Sequence, residues 1–348
     1  MPVLPPSLSD RSFWLGLLPP LAIGVVSTAA ATFVPTLGAP VLAIVLGLVL
    51  GEVLGQPAAL KAGNTFAAKK VLQASIVLLG AGMSLQQVAA VGWSGLPVMV
   101  GTIVLALLVG SLLGRALGVE RQTGSLVTYG TTICGASAIA TMSVVIGAES
   151  SAVAVSIAVI VLYNVLAAIV FPYLGQAMRL TAESYGLWAG TAVNDTSSVV
   201  AAATSYDALL LAAGLSAGAA TYAVVVKLTR TLAIIPLALW QTAREQRGNP
   251  ETGGGKPWWR LVPPFLLLFL LAAAVRTVGL IPSSWDGAIK WLAHFGTAVA
   301  MAAVGMSSSF AAIKRAGWRP LALGGALWLV VSVSSLLLQL ATGQLQTR

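Results

Sequence analysis

The sequence predicts an all-α polytopic membrane protein, and the composition, the apolar stretches and the placement of charge all favour this fold class. Of the 348 residues, 57% are hydrophobic and 8% are charged, with a mean hydropathy of +0.92. A soluble domain has about 25% charged residues, so this chain belongs to a different class. A helix needs about 20 apolar residues to cross about 30 Å of hydrocarbon. About 11 such stretches lie at 14–32, 40–55, 64–83, 95–114, 125–142, 151–172, 185–205, 208–240, 258–280, 287–306 and 318–341.

The basic residues predict the orientation of these helices. The formal net charge is +9, but Lys and Arg fall in alternate loops and form no patch for nucleic acid. Because Lys and Arg concentrate in cytoplasmic loops, we expect a cytoplasmic N-terminus and a C-terminus on the outer side of the membrane. The loops expected inside hold Arg11, Lys61, Arg115, Arg121, Arg179, Arg244, Arg247, Lys256, Arg260, Lys314, Arg315 and Arg319. The segments expected outside hold Arg276, Lys290, Arg348, Glu149, Asp207 and Asp286.

The sequence carries no motif for enzymatic or ATP-driven chemistry. Its single cysteine, Cys134, excludes an internal disulfide and a cysteine metal cluster. It contains no G-x-S-x-G, no H-E-x-x-H, no P-loop and no dinucleotide fingerprint. We therefore expect no enzyme, no cofactor and no metal, and any transport would use an ion gradient or the gradient of the substrate. The polar, Gly- and Pro-rich segment 241–257 is expected to be a flexible cytoplasmic loop.

Small polar residues occur at mid-membrane depth in two stretches, 130–137 and 190–198. The bilayer core holds no water to satisfy such groups. Each stretch has Gly followed by residues that can cap a new half-helix, which predicts an interrupted helix whose bare amides suit an anionic or strongly polar substrate. Close helix packing is the alternative explanation, above all for the first stretch. The candidate binding residues are Thr131, Thr132, Cys134, Gly135, Ala136, Ser137, Asn194, Asp195, Thr196, Ser197 and Ser198.

Two basic residues of the eighth stretch, Lys227 and Arg230, complete the candidate site. They are candidates for a buried base that holds an anion, or they snorkel to the cytoplasmic surface. Asp195 would neutralise such a base, or would itself bind a proton or a cation. Asn164 is a single mid-span amide, a pattern that favours a contact between helices over a ligand.

Weak internal repetition predicts the domain organisation. Gly130-Thr131-x-Ile133 in the fifth stretch is echoed by Gly296-Thr297-x-Val299 in the tenth. Transporters commonly repeat a helical unit in inverted orientation. We therefore expect an extra N-terminal helix in 1–39, a first five-helix repeat in 40–175 and an inverted second repeat in 183–341.

Several polar segments resemble the YeiH family of bacterial inner-membrane proteins. The likeness covers about residues 40–340, and its most specific part is Ile133-Cys134-Gly135-Ala136-Ser137-Ala138-Ile139. The other segments that carry it are Asn64–Lys70, Asn194–Ala202 and Lys227–Arg230. Members are often labelled as sulfate exporters, and the family is grouped with bile acid/sodium symporters and cation/proton antiporters.

The resemblance implies two inverted five-helix repeats, a core domain with two broken helices that cross, and a panel domain for dimerisation. In this chain the fifth and tenth stretches would be the crossing helices, so that 131–137 would meet 297–302 near the middle of the bilayer. The leading hypothesis is a secondary-active, elevator-type transporter of a small anion such as sulfate, sulfite or a sulfonate, with sodium or a proton as a coupling ion. The alternatives are a cation/proton antiporter or sodium-coupled symporter that uses Asp195, and a non-transport membrane scaffold.

Overall fold

The computed structural model describes residues 11–33, 38–55, 57–248 and 264–348. Within these ranges the chain is helical, and extended pairing is limited to an isolated bridge between Leu180 and Thr347. A π-helical turn, Ala67–Val71, joins the third and fourth helices. The helices are α1 Arg11–Phe33, α2 Ala39–Leu54, α3 Lys61–Phe66, α4 Leu72–Gly80, α5 Leu85–Ala116, α6 Arg121–Thr132, α7 Ala136–Val145, α8 Ser150–Ala177, α9 Ala182–Ala192, α10 Thr196–Ala212, α11 Ala219–Thr231, α12 Ile234–Gly248, α13 Pro264–Thr277, α14 Asp286–Ser307, α15 Phe310–Ala316 and α16 Trp318–Ala341.

The lengths and compositions of these helices confirm an all-α polytopic membrane protein. Among the described residues, six segments are long and apolar enough to cross a bilayer. They are Ser12–Phe33, Leu85–Ala116, Ser150–Ala177, Ala219–Ala243, Ser283–Ser307 and Trp318–Ala341. Shorter apolar helices lie beside them at Ala39–Leu54, Ala136–Val145 and Pro264–Thr277.

Helices α6 and α7 form a hairpin that turns back on itself, which we call the first hairpin. A Cβ on Gly130 would lie 3.1 Å from the side chain of Ile139, whereas nine residues of continuous helix span about 13 Å. At the open end of the hairpin, Gln122 Oε1 accepts a hydrogen bond from the Glu149 amide at 2.9 Å. The start of α6 and the start of α8 therefore lie at the same end of the helix bundle.

Helices α9 and α10 form a second hairpin. The rings of Tyr185 and Tyr206 stack with their centroids 3.8 Å apart, and the Tyr185 hydroxyl donates to the Ala202 carbonyl at 3.3 Å. Twenty-one residues of continuous helix would separate the two tyrosines by about 32 Å. The second hairpin therefore also returns to the end from which it starts.

Helix α8 runs between the two hairpins and shows that they enter from opposite ends. Near its start, Ser156 Oγ donates to the Thr123 carbonyl of the first hairpin at 3.4 Å. Near its end, the Gly175 carbonyl accepts from the Tyr206 hydroxyl of the second hairpin at 3.3 Å. We call the end at which α6 and α8 begin the Arg121 end, and the opposite end the Arg348 end. The Arg348 amide donates to the Arg179 carbonyl at 2.8 Å, which places Arg348 beside the base of the second hairpin.

The prediction that the fifth and tenth stretches are the crossing helices is wrong. The tenth stretch is a continuous helix, α14, and the second interruption lies in the seventh stretch, between α9 and α10. Small polar residues of α14 serve helix packing instead: Thr297 Oγ1 donates to its own helix at the Ala293 carbonyl, at 2.7 Å, and Gly296 lies against Ser75. The interruptions thus do not occupy equivalent positions in the predicted repeats, whose boundaries stay a prediction.

The hairpins also change the predicted side of two loops. Arg179 was expected inside and Arg348 outside, but their backbones are hydrogen-bonded to each other. Glu149 was expected on the side opposite Arg121, but it lies beside Gln122. A re-entrant hairpin accounts for both differences, because it adds an apolar stretch without adding a crossing.

The eighth stretch and the loop after it also differ from the prediction. Helix α11 begins only at Ala219, and α12 extends to Gly248, so the first part of the predicted loop 241–257 is helical. Gln241 is buried, and its Oε1 accepts a hydrogen bond from the Tyr129 hydroxyl at 2.8 Å. The rest of that predicted loop lies outside the described residues.

Candidate functional site

The tips of the two hairpins meet in the middle of the bundle. In the first hairpin, α6 ends at Thr132 and α7 begins at Ala136. The turn uses Gly135 at φ +68°, a backbone conformation that side chains disfavour. A Cβ on Gly135 would lie 3.1 Å from the Cβ of Asp195, in the tip of the second hairpin. Gly is therefore required both for the turn and for the approach of the two tips.

Asp195 and Asn164 hold the tip of the second hairpin. Asp195 is the N-cap of α10, and its carboxylate accepts hydrogen bonds from the amide of Ser197, at 3.0 Å, and from the Ser197 hydroxyl. Its own amide donates to Oδ1 of Asn164, in the middle of α8, at 3.1 Å. Asn164 is thus a contact between elements, as predicted, and it fixes the level of the tip along α8.

Two cations of α11 lie at the end of α6. Lys227 is 0% exposed and Arg230 is 1% exposed, so the alternative in which both snorkel to the surface is wrong. Lys227 Nζ donates to the Ile133 carbonyl at 3.3 Å, and Arg230 Nη2 donates to the Thr131 carbonyl at 3.5 Å. The carboxyl end of a helix carries a partial negative charge, so the interruption of α6 favours cations at this place.

These hydrogen bonds leave much of the donor capacity of the two cations unused. An ammonium group has three donors and a guanidinium group has five. Arg230 Nε and Nη1 are buried and have no hydrogen-bond partner in the described part of the chain. Near the tips, four further buried polar atoms have no hydrogen-bond partner among the described residues: Oγ1 of Thr131, Oγ1 of Thr132, Oδ1 of Asn194 and Oγ of Ser198.

The charges at the tips do not balance. Among the described residues, Arg276 and Asp286 form an ion pair, with Nη1 and Oδ1 2.7 Å apart. Neither Lys227 nor Arg230 has a carboxylate partner of this kind among them. Asp195 supplies a single carboxylate at the tips, and that carboxylate accepts from Ser197 in its own hairpin. Two buried cations against one carboxylate leave an excess positive charge, and each unpaired buried ion costs several kcal/mol.

A cavity lies at the Arg121 end, beside α8. It has a volume of about 290 Å³ and is lined along α8 by Ala154, Ile157, Ala158 and Val161. Asn164 follows Val161 by three residues, which places it on the same face of the helix. Asp195 and Thr196 are half-buried, whereas the cations behind them are fully buried. The cavity therefore lies on the face of α8 that also carries Asn164.

The chain matches the family model described as conserved hypothetical protein 698 over residues 15–324. It is 39% identical over 336 residues to the UPF0324 membrane protein spr0034 of Streptococcus pneumoniae, covering 94% of this chain and 97% of that relative. It is 36% identical over 339 residues, with the same coverage of both chains, to the UPF0324 membrane protein SAG1125 of Streptococcus agalactiae. The chain belongs to the UPF0324 family of membrane proteins. The resemblance to the YeiH family is thereby confirmed.

Most of the residues predicted for the site of this UPF0324 protein are brought together by the hairpins. Ser137 is an exception, because it lies on the exposed face of α7. Ala136 is half-buried at the start of the same helix. The residues that converge on the tips or on the buried cations are Thr131, Thr132, Cys134, Gly135, Asn194, Asp195, Thr196, Ser197, Ser198, Lys227 and Arg230.

The sequence did not reveal how Asp207 contributes to the UPF0324 site. It was expected in an outer loop, but it lies in α10 and is 3% exposed. Its carboxylate accepts from the amides of Gly218, Ala219 and Ala220 at 2.8–3.0 Å. It therefore caps α11 from the second hairpin and fixes the helix that carries Lys227. No local signal in the sequence predicts this cap, because Asp207 belongs to the preceding helix and not to the N-cap position of α11.

Proposed function

We propose that this protein is a secondary-active transporter of a small anion, which binds where the two hairpin tips face Lys227 and Arg230. The observation that carries the proposal is the pair of fully buried cations without a carboxylate partner among the described residues. Burying such charge is costly unless an opposite charge compensates it. An anion at the tips would supply that charge.

The donors around the tips match an oxyanion. Guanidinium N–H groups bind carboxylate, phosphate and similar oxygens in a fixed fork, and hydroxyls can add further donors. Arg230 Nε and Nη1 are unused donors of this kind, and the hydroxyls of Thr131, Thr132 and Ser198 in the hairpins are also unpartnered. Gly135 caps α7 without a side-chain hydrogen bond, so the first amides of α7 add partial positive charge at the tip. Sulfate, sulfite and sulfonates fit this donor set.

The packing between the helices supports movement of the site relative to the rest of the bundle. A buried cluster joins α14, through Ala298, Ala300 and Ala302, to Val200 of α10 and Val224 of α11. Alanine and valine side chains have no hydrogen-bonding groups that would hold one arrangement. We propose an elevator-type movement along this surface, with the Arg121 end cytoplasmic because it holds most of the basic residues.

A cation/proton antiporter that uses Asp195 is the second candidate. The half-buried position of Asp195 favours it, since the residue is not fully enclosed by protein. Its role as the cap of α10 speaks against it, because the carboxylate already accepts hydrogen bonds from the amide and the hydroxyl of Ser197. Asp195→Asn separates the candidates: an antiporter should lose proton exchange, whereas an anion site should retain anion transport.

Purified protein in liposomes tests the proposal directly. Sulfate, sulfite, methanesulfonate and sodium would be offered under imposed pH and voltage gradients. We expect uptake of at least one anion, and we expect the Lys227→Met and Arg230→Met substitutions to abolish that uptake. Sodium/proton exchange without anion flux would refute the anion proposal and favour the second candidate. Growth-linked activity that survives the combined substitution of Asp195, Ser197 and Lys227 would favour a membrane scaffold.

A further inference from the structure

A second polar region lies at the Arg121 end, where two cavities share Ser307. One cavity, of about 290 Å³, is lined by Ser307, Ser308, Ser309 and Arg315 on the side facing α8. The other, of about 370 Å³, is lined by Asn64, Thr65 and Lys61 on the side facing α2. We call the two cavities together the vestibule.

The vestibule carries positive charge on both walls. Arg315 lies in one cavity and Lys61 in the other, and both side chains are exposed. The described residues that line the vestibule include no Asp and no Glu. Arg315 uses Nε to bond the Ala311 carbonyl of its own helix at 3.2 Å, which holds the guanidinium in place and leaves its two Nη groups for a ligand.

The vestibule is also aligned with the hairpin tips. The apolar wall of the Arg315 cavity follows one face of α8 from Ala154 to Val161, and the same face continues to Asn164 at the second tip. Concave regions lined by one sign of charge concentrate the opposite ion and raise its association rate. An anion that moves from the Arg121 end to the tips would pass Arg315 first.

We propose that Arg315, with Ser309, forms a separate oxyanion-binding site in the vestibule, which loads the tip site from the Arg121 end. The proposal rests on the proposed function only for its role in loading, since the vestibule can bind an anion without the tips. The ligand class is a small oxyanion with two or more oxygens free to bond the Arg315 guanidinium and the Ser309 hydroxyl.

Binding of radiolabelled sulfate to the purified protein that carries both Lys227→Met and Arg230→Met separates the two sites, because this variant lacks both cations at the tips. We expect residual, weaker sulfate binding that Arg315→Ala removes and Lys314→Ala does not. Lys314 is the matched control, since it is the exposed neighbour of Arg315 on α15 and lines neither cavity. Absence of residual binding, or equal loss in both variants, would overturn the vestibule site and leave the tip site standing.

Transport measured from each side tests the loading role. In oriented vesicles, Arg315→Ala should raise KM about three- to tenfold at the Arg121 end at low ionic strength and leave KM at the Arg348 end unchanged. The effect should fade as salt rises, because the screening length falls from about 10 Å at 0.1 M to about 3 Å at 1 M. An equal change of KM at both ends would contradict a loading site.

An anionic lipid headgroup offers the same oxyanion chemistry, so the lipid must be varied. Sulfate binding to the protein with both Lys227→Met and Arg230→Met would be compared in nanodiscs of neutral phosphatidylcholine and in nanodiscs that contain phosphatidylglycerol. Binding that persists in both supports a substrate site. Loss of binding on addition of phosphatidylglycerol would identify a headgroup as the occupant and would refute the proposal.

Discussion

Replacing Lys227 should have clearly different effects on the stability of the protein and on its transport. Its single hydrogen bond, to the Ile133 carbonyl, is long at 3.3 Å. Losing a hydrogen bond to a charged group costs about 1.5–3 kcal/mol, whereas removing a buried charge without an ion-pair partner recovers a desolvation cost of several kcal/mol. A charge retained at such a cost is better explained by a ligand than by the fold.

The Lys227→Met variant should therefore fold at least as well as the parent protein and lose transport. We expect the melting temperature in detergent to stay equal or to rise, while anion uptake falls more than tenfold, equivalent to about 1.4 kcal/mol or more of lost ligand interaction. Lys227→Arg keeps the charge and is the control for the effect of shape. A marked fall in melting temperature for Lys227→Met would mean that the charge is structural.

Gly135 should be intolerant of any side chain. Its φ of +68° alone strains a substituted residue, at a cost of about 1–3 kcal/mol. In Gly135→Ala the new Cβ would also press on the Cβ of Asp195 at 3.1 Å and push the tips apart.

Gly147 offers a matched control for this prediction. It has a φ of +60°, and a Cβ placed there meets no atom within 4 Å. We expect Gly147→Ala to lower the melting temperature and retain transport, and Gly135→Ala to lose transport beyond its effect on melting. If the loss of transport per degree of lowered melting temperature is the same in both variants, close approach of the tips is not required.

At the scale of elements, the last residues of the chain hold the base of the second hairpin. Arg348 Nε donates to the Leu180 carbonyl at 3.0 Å, and Nη2 donates to the Tyr206 hydroxyl at 3.2 Å. Nearby, the Gln346 amide donates to Ser184 Oγ at 2.8 Å. These contacts join α9, α10 and the loop that precedes α9, so they restrain the hairpin at the end opposite its tip.

Arg348→Ala should loosen this base without moving the tips. We expect faster amide hydrogen exchange in 179–186 and little change in 130–139, because removing local hydrogen bonds lowers the free energy of local opening. Arg319 provides a control, since its guanidinium makes one long bond, at 3.4 Å, to the Gly118 carbonyl at the other end of the bundle. Exchange that rises equally in both hairpins would show that the contact stabilises the whole fold.

The two interruptions were predictable from the sequence, but the direction of the chain after them was not. Polar residues such as Thr131 and Asn194 cannot face lipid without partners, so the sequence predicts a break at each. Local polarity does not say whether the second half continues or turns back. That choice depends on contacts between distant residues, such as Tyr185 with Tyr206.

The same limit explains the wrong assignment of α14. Glycine and threonine near Gly296 resemble the first interruption in sequence, yet small residues are also what closely packed membrane helices need. Gly305 lies against the backbone of α2 near Ile44, so this part of α14 is a packing surface. The burial of Lys227 and Arg230 was left open by the sequence for a related reason, since a long helix can place a cation either at mid-depth or at the surface.

For the whole molecule, the two hairpins predict a membrane topology that differs from the one expected for eleven crossing helices. The exposed residues Arg121 and Glu149 flank the first hairpin and should lie on the same side of the membrane. Arg179 and Ser216, also exposed, flank the second hairpin and should lie together on the opposite side. If each hairpin crossed the membrane, each of these pairs would be split between the two sides.

Single cysteines at these four positions, in a Cys134→Ala background, test this arrangement with a membrane-impermeant thiol reagent. Cys134 is buried and is the one native cysteine, so its replacement removes background labelling. We expect Arg121→Cys and Glu149→Cys to label in inside-out vesicles, and Arg179→Cys and Ser216→Cys to label in intact cells after outer-membrane permeabilisation where an outer membrane is present. The basic residues at the Arg121 end set this orientation, but the pairing does not depend on it. Labelling of Arg121→Cys and Glu149→Cys from opposite sides would exclude the first hairpin, and with it the meeting of Gly135 and Asp195 on which the anion site depends.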